Sequence, residues 1–202
     1  MTMPGPAGRQ QSASPDALAA LQHQIDRLER PTLAKAKPGD VLTLGVPEID
    51  GHLPWGGLVS ASLHAISGAE SLTPAIGFAA ALLGRATRAS GAKRCVLWCR
   101  RGCDLYAPGL SSFGLTAANL TIVNAVEERD LLWAMEEGLR SGAMDAVLGE
   151  PQVPSPTALR RLQLAAETGG STALLLDGVM LDGETGRSIG AGMAHWRVGT
   201  IA

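Results

Sequence analysis

The chain predicts an α/β fold, a mostly parallel sheet covered by helices, with a separate helix ahead of it. Three observations carry that prediction. From Val41 onward, short apolar runs of strand type alternate with longer helical runs. Such alternation produces parallel strands joined by crossover helices. The runs at 94–98, 146–148 and 172–176 are short and mainly apolar, as in strands buried on both faces of a sheet. Before Val41 stand a Pro- and Gly-bearing stretch and one amphipathic segment, set apart from that pattern.

Taken in order, residues 1–15 are rich in Pro, Gly, Ser and Gln and are expected to be disordered. Ser14 and Pro15 make a helix start, with Asp16 in the first turn. Leu18, Leu21, Ile25 and Leu28 then recur at helical spacing, so Asp16–Arg30 reads as an amphipathic helix. Such a helix either packs on its own domain or serves as an arm that docks on another subunit. Pro31, Pro38 and Gly39 make a linker to residue 40, which favours the arm. Residues 41–202 form the sheet domain.

Within that domain Gly45–Leu58 is a turn-rich approach to a strand over Ser60–Ser67. A loop follows, then a helix over Pro74–Arg88. Strands are predicted over Arg94–Trp98 and Leu120–Val123. Asn124 and Glu127 have the spacing of a capping box ahead of a helix over Glu127–Arg140, with Leu131, Leu132, Met135 and Leu139 on its apolar side. Ala146–Leu148 is a buried strand. Ser155 and Pro156 open a helix that runs through Thr168 and closes at Gly169 and Gly170. Thr172–Leu176 is the next strand, Asp177–Gly192 a Gly-rich mobile loop, and Ala194–Val198 the last strand.

At 202 residues, with 46% hydrophobic and 18% charged residues, the chain is globular and large enough for one sizeable core plus arms. Aromatics are 3%, so Ala and Leu must build that core. The net charge of −2 argues against an avid free-standing nucleic-acid binder, which needs clustered Lys and Arg. No run has the length of a secretory signal or a membrane span, so a soluble, cytoplasmic protein is expected. Cys95, Cys99 and Cys103 are spaced by four, which fits neither zinc pairs nor ferredoxin runs. They read as ordinary thiols of a reducing compartment. No metal or cofactor is expected.

The most informative segment is the loop Gly68-Ala69-Glu70-Ser71-Leu72-Thr73-Pro74-Ala75 between a strand and an Ala-rich helix. A working phosphate loop reads G-x-x-x-x-G-K-S/T. Its backbone N–H groups cradle the phosphates, Lys holds the terminal ones and the hydroxyl holds Mg²⁺. Here Gly68 is the first glycine, Thr73 stands at the second, Pro74 at the Lys and Ala75 at the hydroxyl. Pro74 offers neither an ammonium nor an N–H, yet it suits the first helical position. The helix is therefore kept and the phosphate chemistry removed. The same residues also describe an ordinary strand-to-helix turn.

Several segments resemble the RecA-like fold. Gly45–Leu58 resembles the approach in which a short helix bearing an acidic residue precedes a G-G-L turn, and Ser67–Ser71 (SGAES) resembles the start of the recombinase phosphate loop. Arg140–Glu150 resembles the stretch ending in a Mg²⁺-associated Asp, with Glu150 at that position. Val96–Arg101 resembles the strand carrying the catalytic Glu, with Arg101 nearest to it. Three reactive positions are thus changed: the Lys, the hydroxyl and the Glu.

The closer resemblance is to the ImuA family, RecA-like and SulA-related proteins of the bacterial mutagenesis cassette. It rests on Leu53–Leu58 (LPWGGL), Leu105–Leu115 (LYAPGLSSFGL), Leu131–Gly138 (LLWAMEEG) with Ala143–Glu150 (AMDAVLGE), Leu159–Ala166 (LRRLQLAA) and Trp196-Arg197-Val198. It implies a non-catalytic accessory protein of SOS-induced, error-prone translesion synthesis. The implied partners are a Y-family-like polymerase partner and an error-prone replicative-type polymerase. RecA and a second copy of the chain are further candidates, and DNA contact is left open. The alternatives are a SulA-like inhibitor of cell division and, behind it, an ATP-dependent recombinase-like DNA-binding protein, against which the missing Lys and Glu speak.

An interaction protein works through its surface, and four positions are candidates besides the stripe Leu18, Leu21, Ile25 and Leu28. Arg100 and Arg101 follow a strand at the edge where α/β sheets bind ligands. Tyr106 opens the segment to Phe113, and Arg187 lies in the Gly-rich loop. His64, in a strand, reads as a core or sheet-face residue, and His52 as a turn residue.

Overall fold

The computed structural model describes residues 41–53, 56–89, 95–102, 105–152, 154–177 and 194–200. The helix expected over Asp16–Arg30, with Leu18, Leu21, Ile25 and Leu28, lies outside these residues. So do Cys103 and the segment 178–193 with Arg187.

Strand β1 (Val41–Leu42) pairs antiparallel with β2 (Leu58–Val59). Between them a short helix, α1 (Pro47–Asp50), is held by its own last residue. The Asp50 carboxylate accepts from Leu44 N at 2.7 Å and Gly45 N at 2.8 Å. This is the approach segment, and its acidic residue closes the turn. The next strand, β3 (Leu63–Gly68), begins later than the expected Ser60, because Leu58 and Val59 are taken by β1.

The remaining elements are α2 (Leu72–Ala89), β4 (Cys95–Arg100), a 3₁₀ segment (Ala107–Phe113), β5 (Leu120–Asn124), α3 (Glu128–Arg140), β6 (Met144–Gly149), α4 (Pro156–Gly169), β7 (Thr172–Asp177) and β8 (His195–Val198). The order in the six-stranded sheet is β5-β4-β6-β7-β3-β8, and each pairing is parallel. This is a RecA-like α/β architecture. Its capping differs at one end from expectation. Glu127, not Asn124, is the N-cap of α3 and makes no side-chain cap bond, because Asn124 is the last residue of β5, paired with Arg100. At α4 the expectation holds. Ser155 accepts from Ala158 N at 3.2 Å, and Gly170 ends the helix at φ +70°.

Side chains alternate across the sheet, so the inner strands feed two cores. On the α2 side Ile66, Val96, Trp98, Ala146, Leu148, Leu174 and Leu176 meet Ala75, Ala79, Leu82 and Leu83. On the α3 and α4 side Leu63, Leu97, Val147, Ala173 and Leu175 meet Leu131, Met135, Leu139, Leu159 and Leu162. Phe78 of α2 reaches Trp196 of β8, with ring centroids 5.2 Å apart. His64 is buried in β3, as its strand position predicts, and pairs through Nε2 with the Val59 carbonyl at 2.8 Å.

Candidate functional site

The carboxyl edge of the sheet carries the β3–α2 loop, Glu150, Arg100 and Arg101. The β3–α2 junction is shorter than the sequence reading allowed. Helix α2 begins at Leu72, so only Ala69, Glu70 and Ser71 separate it from β3. Pro74 therefore sits at the third helical residue rather than the first. It is tolerated there because the first-turn N–H groups have no intrahelical partner. The earlier start also moves Ala75 to the fourth helical residue, where it is fully buried in the α2 core. Thr73 and Ser71 face solvent.

The loop is folded onto itself. A Cβ placed on Gly68 would lie 1.9 Å from the Ser71 carbonyl oxygen and 2.6 Å from its carbon. Only glycine fits there, and what it faces is an acceptor. The Ala69 N–H, one of the groups that an anion would need, donates instead to the Val198 carbonyl at 2.8 Å. The Glu70 carboxylate is exposed, and its oxygens come within 3.2 and 3.4 Å of a Cβ built on Gly199. A carbonyl oxygen and a carboxylate thus line a turn where a phosphate site would present donors.

Glu150, just past β6, is tied to the neighbouring strand. Its backbone N–H donates to the Cys99 carbonyl at 3.0 Å, and its Oε1 accepts from Trp98 Nε1 at 2.6 Å. Trp98 is fully buried, so this bond satisfies an indole N–H at the rim of the core. One strand, β7, separates β6 from β3, which sets the Glu150 strand about 10 Å from the strand leading into the loop.

Arg100 corrects the sequence reading. It is the last residue of β4, only 5% exposed, and shares the α2 face with Trp98 rather than lying on an open surface. β4 runs two residues further than its apolar run, which draws Arg100 into the sheet. Arg101 is half-exposed beyond it. Tyr106 is 75% exposed at the start of the 3₁₀ segment, while Phe113 at its end packs against the α2 core. The Ala125 N–H donates to the Arg100 carbonyl at 2.8 Å, so the adjacent Val126, 87% exposed, stands at the same edge as Arg101. Sequence reasoning missed Val126, for a lone valine between elements carries no signal.

Cys95 and Cys99 lie on one extended strand four residues apart, a separation of about 13 Å that no single cluster spans. Burial pushes the Cys99 thiol up to about 12, which leaves it inert.

Two curated relatives are similar to this chain. The chain is 35% identical over 171 residues to Protein ImuA of two Caulobacter vibrioides strains, NA1000 / CB15N and ATCC 19089 / CIP 103742 / CB 15, and the match covers 80% of this chain and 69% of each relative. The chain belongs to the ImuA family. Its fold has a solved counterpart in SulA from Pseudomonas aeruginosa, at a TM-score of 0.50 and 20% identity, covering 57% of this chain and 98% of that one. No family model matches the chain. Among the described residues no helix is long and apolar enough to cross a membrane.

Proposed function

We propose that this ImuA-family protein is a non-catalytic accessory factor of damage-induced, error-prone translesion synthesis, acting through protein contacts. The observation that carries the reading is the closed β3–α2 turn, in which the Ser71 carbonyl faces Gly68 and Val198 engages the Ala69 N–H. Phosphoryl transfer needs positioned positive charge at the phosphates, and this turn offers a carbonyl and a carboxylate. Pro74, Ala75 and Arg101 at the three reactive positions support the same reading. A fold kept without its phosphate site is kept for its surfaces.

The working surface is the carboxyl edge marked by Arg101, Tyr106 and Val126; Arg and Tyr are residue types that anchor interfaces. Its partners are a Y-family-like polymerase partner and an error-prone replicative-type polymerase, as the family membership implies.

The test has two arms. Purified protein is assayed for ATP turnover with and without single-stranded DNA. The expectation is none, in wild type and in Pro74→Lys alike; robust turnover abolished by Glu150→Gln refutes the non-catalytic reading. In cells, Arg101→Glu with Tyr106→Ala is expected to abolish damage-induced mutation and polymerase-partner binding at an unchanged thermal melt. Retention of both rejects this edge. Filamentation on expression, with no effect on mutation frequency, favours the cell-division inhibitor instead.

A further inference from the structure

The face of the sheet away from α2 carries a second surface, and its chemistry is different. Trp133 is 62% exposed and walls a groove of about 450 Å³ between α3 and α4, with Leu132, Ala158 and Leu162 in its lining. The carboxylate deepest in the groove, Glu136, is buried and already neutralised. It pairs with Arg140 at 2.5 Å and with Arg161 of α4. The charges that line the groove, Arg129 and Arg161 against Asp130 and Glu136, cancel. Neither a strongly acidic nor a strongly basic partner is selected by such a surface.

The outer strip of α3 does select one occupant. Arg129, Trp133 and Glu137 are exposed and lie four residues apart, about 6 Å along the helix at each step. Opposite charges therefore stand at equal distances on either side of one exposed tryptophan. A two-fold axis through Trp133 superposes each charge on its opposite, which is what a self-complementary interface requires. The competing pairs within the chain, Arg129–Asp130 and Arg140–Glu137, are both 3.5 Å, solvent-exposed and of little worth.

We propose that this face binds a second copy of the chain, α3 against α3 in antiparallel array. Trp133 meets its counterpart at the centre, and Arg129 of each chain faces Glu137 of the other. This pairing uses the outer strip of α3, a helix that begins beside Val126, and it stands apart from the role in translesion synthesis.

Sedimentation velocity on the full chain, across the micromolar range, tests it. Wild type shows a concentration-dependent dimer. Trp133→Ser raises the dimer dissociation constant at least about thirtyfold, the effect of losing a hot-spot aromatic. Arg129→Glu or Glu137→Arg alone sets like charges together twice across the axis and weakens the dimer about tenfold. The two reversals combined return the constant to within about threefold of wild type. All three positions of change are on the surface, and circular dichroism verifies the fold. A wild-type monomer at every concentration overturns the proposal, as does a double reversal no better than the singles. A monomer whose tryptophan emission shifts only when residues 1–40 are removed also overturns it, and gives the groove to that segment.

Discussion

At one junction on the carboxyl edge, β3 passes into α2 through Ala69, Glu70 and Ser71; at another, β6 passes into α4 through Glu150 to Ser155. Past Glu150, the longer junction holds N–H groups with side chains. Glu128 accepts from Gln152 N at 3.0 and 3.1 Å, and Ser155 caps the helix. The shorter one uses backbone alone, the Val198 carbonyl taking the Ala69 N–H and the Ser71 carbonyl packing on Gly68. The difference is instructive. Donors held by flexible side chains can be exchanged for a ligand, whereas donors held by a neighbouring strand are part of the sheet. At the junction that resembles a phosphate loop, the Ala69 N–H is held in this second way.

The contrast is most easily broken at Gly68. Gly68→Ala drives a methyl group into the Ser71 backbone and is expected to lower stability by roughly 2–4 kcal/mol, read from a denaturant titration. An unchanged midpoint means that the turn relaxes and is not closed. Next in size is Trp98→Phe, which leaves the Glu150 carboxylate without its indole donor at the other junction. A loss of about 1–3 kcal/mol is expected, and Glu150→Gln, still an acceptor, should lose less. If the glutamine variant loses as much as the phenylalanine one, charge rather than the hydrogen bond matters.

A pH series probes β3. Burial pulls the His64 imidazole below its ordinary 6.5, against the smaller opposing pull of the Val59 carbonyl. The folded state thus holds it neutral while the unfolded chain takes up a proton. Its contribution to stability is complete above pH 6.5 and is lost as pH falls below it, at no more than about 1.4 kcal/mol per pH unit. Melts of wild type and His64→Gln between pH 5 and 7.5 isolate this slope, and parallel curves refute it. The smallest effect belongs to Ser155→Ala, about 1 kcal/mol for a lost cap, with the β3–α2 turn unaffected.

Particular residues show how far the sequence reached. The apolar side of α3 was legible because Leu131, Met135 and Leu139 repeat at helical spacing, and these three are fully buried. Trp133 was legible too and went unread. Two residues past Leu131 is roughly 200° around the helix, so an aromatic there had to face away from the sheet. The loss of Lys and hydroxyl at Pro74 and Ala75 needed only the motif. The closure of the turn did not follow from it, since a carbonyl 1.9 Å from an imagined Cβ is a matter of backbone path.

Local spacing, capping residues and turn chemistry act over a few neighbours, and so the sequence by itself determined the alternation of strands and helices, the ends of α4 and the missing reactive groups. Tertiary packing decided the rest. It placed β7 between β6 and β3, drew Arg100 out of solvent, and joined Trp98 to Glu150 across 52 residues of chain. Contacts of that separation depend on which strand lies beside which. Strand order is set by burying both faces of the sheet at once, not by any short stretch of sequence.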